Sequence, residues 1–214
     1  MTNLKSLFKV SGVCLVILVP SVDAAVISSV DRAAFQAAVA SGTIQQQNFD
    51  SLVAGTLLGA TTDITYDASM GDVIVTNSFL VTTTPNGIGS TSAGFFLPNE
   101  TVSFLFSTPI SAFAIDVNTF ANTDGAYQIA LNTGDVVTSL FEAFPGTVTG
   151  QFFGLVSDTP FSQVILSAVT GNVYTLDTLV YGDAAPVVVP LPAAVWLLGS
   201  ALVGLLGFRR FRPR

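Results

Sequence analysis

Carboxylates are nearly the only ionisable side chains in the body of this 214-residue chain. Histidine is absent, the single cysteine is Cys14, and both lysines, Lys5 and Lys9, lie among the first ten residues. The commonest general base and the commonest transition-metal ligand are therefore missing. A Ser or Thr nucleophile would have only a carboxylate to activate it. Two chemistries remain. Paired carboxyls flanking a glycosidic bond can hydrolyse it, and the two glutamates, Glu100 and Glu142, are the candidates. Glu100 follows Leu97-Pro98-Asn99 in a turn entering a strand, and Glu142 lies in a turn leaving one, so both read as solvated turn residues. Hard oxygen ligands can instead hold Ca²⁺. For that the candidates are Asp50 and Asp177, neighbours if the first and last strands of the domain pair, with Asp31 close by. The sequence contains no EF-hand loop and no Asp-rich nonapeptide repeat.

Charge narrows the partners. Only 10% of the residues are charged, against roughly 25% in ordinary soluble domains. Between Ala25 and Val189 a single base, Arg32, faces thirteen acids, a net charge of −12. Such a surface repels phosphate backbones, so nucleic acid is excluded as a partner. Cations, neutral sugars or simple solubility suit it better.

The elements that must position these groups are mostly strands. One short helix is expected through Asp31–Val39, capped by Ser28 or Ser29, with Phe35 and Val39 on one face and Ser41-Gly42 as its stop. Beyond it apolar residues alternate with period two: Val102, Phe104, Phe106; then Phe113, Ile115, Val117; then Tyr127, Ile129, Leu131. The pattern continues at Phe153, Leu155, at Val164, Leu166, Ala168, and at Leu179, Tyr181. Turn chemistry stands at Thr108-Pro109, Thr123-Asp124-Gly125, Asn132-Thr133-Gly134-Asp135, Pro145-Gly146 and Gly171-Asn172. Around ten short strands at this spacing predict an all-β fold, an antiparallel β-sandwich of jelly-roll type with one N-terminal helix. Phenylalanine, with seventeen copies, is expected to fill the core. Loop aromatics such as Phe95, Phe96 and Phe144 are the better candidates for an exposed contact, and Thr82-Thr83-Thr84 for surface O-glycosylation.

The two ends are of another kind. Residues 1–24 combine Lys5 and Lys9, an apolar run of about ten residues and the small pair Ala24-Ala25, the three parts of a secretory signal peptide cleaved at that pair. At the other end Pro190-Leu191-Pro192 precedes sixteen uncharged residues, 193–208, which predict a C-terminal transmembrane helix of about 24 Å. Trp196 lies near its outer end as an interfacial aromatic, and residues 209–214 hold four arginines expected on the cytoplasmic side.

Pro190, Leu191 and Pro192, the helix with Trp196, Gly199 and Gly204, and the closing Arg209-Arg210 resemble the PEP-CTERM sorting signal, with Leu191 in the place of the usual central Glu. A sortase tail would need a Leu-Pro-x-Thr-Gly box, and a GPI signal would lack the basic end. The resemblance implies an exosortase, a membrane-embedded cysteine protease, as partner, with cleavage near the proline motif. It also implies a life that passes from export and transient membrane anchoring to the cell surface or extracellular matrix. More loosely, residues 25–183 resemble the ectodomains joined to such tails, through Asn48-Phe49-Asp50 and through Leu176-Asp177-Thr178-Leu179 before Tyr181-Gly182. Those domains look like carbohydrate-binding jelly rolls. Residues 184–192 then form linker and sorting motif. The expected function is a non-enzymatic surface or matrix protein with exopolysaccharide as a candidate ligand. The alternatives are a structural or protein-interaction domain and, behind both, a glycoside-active enzyme.

Overall fold

The computed structural model describes residues 26–29, 31–79, 81–119, 125–141, 151–170 and 173–184. The signal segment with Ala24 and Ala25, Glu142, Phe144, the turns at 145–146 and 171–172, and the whole tail with Pro190, Leu191, Pro192, Trp196, Gly199, Gly204, Arg209 and Arg210 lie outside them. Among the described residues no helix is long and apolar enough to cross a membrane.

Among the described residues ten strands and one helix follow in the order β1 (Val26–Ser29), α1 (Arg32–Val39), β2 (Thr43–Gln47), β3 (Ile64–Ala68), β4 (Val73–Thr76) and β5 (Gly87–Ser90). Then come β6 (Thr101–Thr119), β7 (Gly125–Leu131), β8 (Val136–Phe141), β9 (Gln151–Ala168) and β10 (Tyr174–Asp183). Every pairing is antiparallel. The main strand order is β4-β5-β10-β6-β9-β7-β8, with β1 on β9, β2 on β10 and β3 on β6. The fold is thus mostly antiparallel sheet with one short helix, folded over as a sandwich.

The short strands expected around Thr108-Pro109 are one strand. β6 runs through that point for 19 residues, and β9 runs for 18. Proline has no N–H to give to a ladder, and Pro109 and Pro160 fall where the β6–β9 pairing lapses. The register skips from Leu105↔Gln163 to Ile110↔Phe161 and then to Ala112↔Val156. The strands bend there instead of reversing, and each half serves different neighbours. The first half of β6 pairs β3, while its second half pairs β10. By contrast, Asn132-Thr133-Gly134-Asp135 makes the expected hairpin between β7 and β8. Gly134 there takes φ +100°, and its N–H donates to the Leu131 carbonyl at 3.0 Å.

The core lies between the folded halves. Phe104 meets Phe113 at 5.4 Å between centroids, Phe106 meets Tyr181 at 5.4 Å, and Tyr127 meets Tyr174 at 5.3 Å. A second, smaller apolar cluster sits on the outer face, where Phe35 and Val39 of α1 cover Ala112, Ala114, Phe152 and Val156. Gly154 makes room for them, since a Cβ there would stand 2.7 Å from the Phe152 ring and 2.8 Å from Phe35. The cap of α1 is Asp31, whose carboxylate accepts from the Ala33 N–H at 2.8 Å. Ser28 and Ser29, the expected caps, belong to β1, where the ladder aligns them with Leu155 and Gly154.

One irregularity sets the environment of Asp177. Leu176 and Leu179 are three apart, a spacing that strict alternation cannot place on one face, yet both are fully buried in the core. A β-bulge resolves this. The register passes from Asp177↔Asp116 to Val180↔Ala114, and Thr178 takes φ 46°, a left-handed conformation unusual for a β-branched residue.

Candidate functional site

The pairing of β2 with β10 runs from Gln47↔Leu179 to Thr43↔Asp183, so an early strand does meet the last one. Asp50 and Asp177 each hold the segment between β4 and β5. Asp50 Oδ1 accepts from the Asn86 N–H at 3.0 Å, and Asn86 Nδ2 donates to the Leu52 carbonyl at 2.8 Å. Asp177 Oδ2 accepts from the Thr83 N–H at 2.6 Å and the Thr83 hydroxyl at 3.0 Å. Its Oδ1 accepts from the Thr178 N–H at 2.6 Å. Asp31 is occupied as the helix cap. Among the described residues no three His, Cys, Asp or Glu side chains cluster as a metal site. Of the expected glycosylation run, Thr83 is the clamp on Asp177, and the Thr82 hydroxyl donates to Asn118 Oδ1 at 3.1 Å.

Glu100 is not the solvated turn residue its sequence suggests. It is fully buried, with Oε2 accepting from the Leu97 N–H at 3.1 Å and Oε1 unpartnered. The carboxylate folds back onto its own turn, so no substrate can reach it in this conformation. Of the loop aromatics, Phe96 is core: it is fully buried, packed 5.3 Å from Tyr174 and bonded to it through both backbones. Phe95 is half-buried against Phe79, edge to face at 4.6 Å.

Beside Asp177 the fold brings in a residue that sequence reasoning missed. Asp116 stands opposite it on β6, and both are completely buried. Arg32, the one base of the domain, forms an ion pair with Asp116, and its guanidinium lies 4.7 Å above the Phe152 ring. Asp116 Oδ2 and Asn118 Nδ2 have no partner. Burial pushes the Asp116 carboxyl up, with Arg32 acting in the opposite direction. Burial also raises Asp177, opposed by its bonds to Thr83 and Thr178 and reinforced by the like charge of Asp116. The available signal was the lone Arg32 at a helix start, a base that a buried acid needs. This cluster ties α1, through Arg32, and Thr82-Thr83 to the sheet.

An accessible site lies at the β2–β10 edge. A cleft of about 240 Å³ opens between Thr43 and Gln45 of β2, Tyr181–Asp183 of β10, the bend of β6 and Asp63. Phe106 and Tyr181, a buried pair of core rings, are among its lining residues. The Tyr181 hydroxyl donates to Gln45 Oε1 at 2.9 Å, which leaves the amide nitrogen as a donor. Asp63 and Asp183 are exposed at its rim, and burial followed by the Asp63 charge pushes the Tyr181 phenol up. Gly182, at φ +146°, is required here because a Cβ would collide with the Thr43 carbonyl oxygen. Beyond Asp63 lies a shallower depression of about 100 Å³, bounded by Thr61, Thr65 and Leu105. Asp63, Phe106 and Ser107 line both, and the Ser107 N–H donates to the Asp63 carbonyl at 2.9 Å. The sequence showed the Tyr181-Gly182 pair but not that Asp63, more than a hundred residues away, would face it.

No protein-family model matches the chain, and no curated protein matches it in sequence. Among solved structures, CBM35 from Cellvibrio japonicus Abf62 superposes with a TM-score of 0.40 at 12% identity, covering 67% of this chain and 95% of that one. A carbohydrate binding module from Cellvibrio mixtus lichenase 5A, in complex with cellotriose, gives 0.37 at 13% identity over 62% and 100%. The Podospora anserina GH26-CBM35 β-(1,4)-mannanase gives 0.36 at 16% identity over 68% and 28%. At these scores the likeness assigns this chain neither a ligand nor a residue.

Proposed function

We propose that this chain is an exported, exosortase-processed protein of the cell surface or extracellular matrix, and that its β domain, a variant of the jelly roll, holds a glycan without acting on it chemically. The observation that carries the binding reading is the cleft beside Asp63. Sugars are recognised by convergent hydroxyl, amide and carboxylate groups over an apolar floor, and the cleft supplies Gln45, Asp63, Asp183 and Thr43 around Phe106 and Tyr181. Its volume of about 240 Å³ is smaller than the roughly 300–1,000 Å³ of pockets for drug-sized ligands, which suits one sugar ring at a time. Export and processing rest on the two ends of the sequence.

The test is affinity electrophoresis of the full chain, in mild detergent, through gels containing the host's exopolysaccharide. Retardation that disappears on Gln45→Ala supports the reading, while unretarded migration rejects glycan binding. Running the gels with and without calcium tests Asp50 and Asp177 together, because a calcium requirement lost on Asp50→Asn would make them ligands. A second reading, an assembly domain, is favoured by one observation: β8 ends the strand order with an uncharged sequence, and Val136 is 56% exposed. Such an edge can pair with another chain, and concentration-dependent assembly without glycan would favour it.

A further inference from the structure

The acids at the cleft narrow the ligand beyond glycans as a class. Among the described residues, Asp63 and Asp183 are its only charged lining residues. Neither is compensated there by a base, in a domain whose sole base, Arg32, is committed to Asp116. A neutral sugar would leave both charges to solvent, and a uronic acid would be repelled by them. A protonated amine would satisfy both charge and hydrogen bonding. Asp63 also lines both the cleft and the smaller depression, so that consecutive rings of one polymer could each meet it.

Resting on the reading that this cleft binds a glycan, we propose that its ligand is an amino-sugar polymer with free, de-N-acetylated amines. One ring occupies the deeper cleft, its neighbour the depression beyond Asp63, and the ammonium groups meet Asp63 and Asp183. Gln45 and the Thr43 hydroxyl take the sugar's hydroxyls.

The experiment compares the full chain in mild detergent on surfaces carrying glucosamine oligomers, the fully N-acetylated oligomers of equal length, and a neutral β-glucan. Because any acidic protein attracts a polycation, two double variants of equal charge are compared. Asp63→Asn/Asp183→Asn alters the cleft, and Asp72→Asn/Asp135→Asn alters acids that do not line it. The expected result is binding to the free-amine oligomer, weakened about tenfold or more by the cleft variant and less than about twofold by the other. Equal losses in the two variants would overturn the proposal by showing general attraction. Equal binding of the acetylated oligomer or the β-glucan would overturn the amine requirement and leave glycan binding standing. Failure to bind any of the three, together with the host's exopolysaccharide, would remove both.

Discussion

At the scale of single residues, the deciding pair is Arg32 and Asp116. Removing one partner of a buried pair leaves an uncompensated charge, at a cost of roughly 3–5 kcal/mol when both are inside. Arg32 is 36% exposed, so solvent screening lowers the expected loss for Arg32→Ala to about 2 kcal/mol, measurable by denaturant unfolding. The pH dependence follows from Asp116 and Asp177, both raised by burial. A carboxyl whose folded pKa exceeds its unfolded value, about 3.9, holds its proton more tightly when folded. Its stabilising contribution is complete below the unfolded pKa and is lost as pH rises through the raised folded value. The Tm is therefore expected to fall as pH rises out of the acid range, and Asp116→Asn should shrink that slope. A profile unchanged by the substitution would show that the pair does not titrate there. None of this was legible from the residues singly, because Asp116 reads in sequence as one more polar position of an alternating strand.

At the scale of elements, alternation located the strands, the hairpin at Gly134 and the apolar face of α1. It failed where elements bend. Pro109 marked a break in pairing correctly, but whether a break becomes a turn or a bend depends on the strand alongside, here β9 with Pro160 at the matching place. The Leu176–Leu179 spacing did contain a bulge signal, since both leucines cannot face inward without one. Packing of α1 gives the prediction for this scale. Gly154→Val would drive a side chain into Phe35 and Phe152, costing about 1–3 kcal/mol, with proteolysis or hydrogen exchange increasing first at α1. Loss of protection spread evenly over the sheet would contradict a local docking role. Gly182→Ala should instead strain β10 against Thr43, weakening the β2–β10 edge and ligand binding together.

For the whole molecule, net charge and the proposed processing of the two ends give the predictions. The net −12 of the region between Ala25 and Val189 predicts binding to cationic polymers that weakens steeply with salt, since exposed charges are screened beyond about 10 Å at 0.1 M. Mass spectrometry of the protein recovered from its host should find a mature N-terminus at the Ala24-Ala25 pair and a C-terminus near Pro190-Pro192. A tail retained through Arg214 would reject exosortase processing.

The sequence by itself determined the properties that are sums or local patterns: an acidic domain without histidine, the period-two strands, the Phe-rich core, and the basic-apolar and proline-apolar-basic ends. These need no knowledge of which residue meets which. Only the tertiary structure decided that Glu100 is buried, that Asp50 and Asp177 clamp the 82–86 segment, and that Asp116 and Asp177 stand opposite one another. It alone brought Asp63 to Tyr181 and Asp183 around a cleft. The physical reason is that side-chain environment depends on strand register and on contacts between residues distant in sequence. A single bulge or bend shifts which face every later residue presents, so the site follows from register and is not carried by composition or motif.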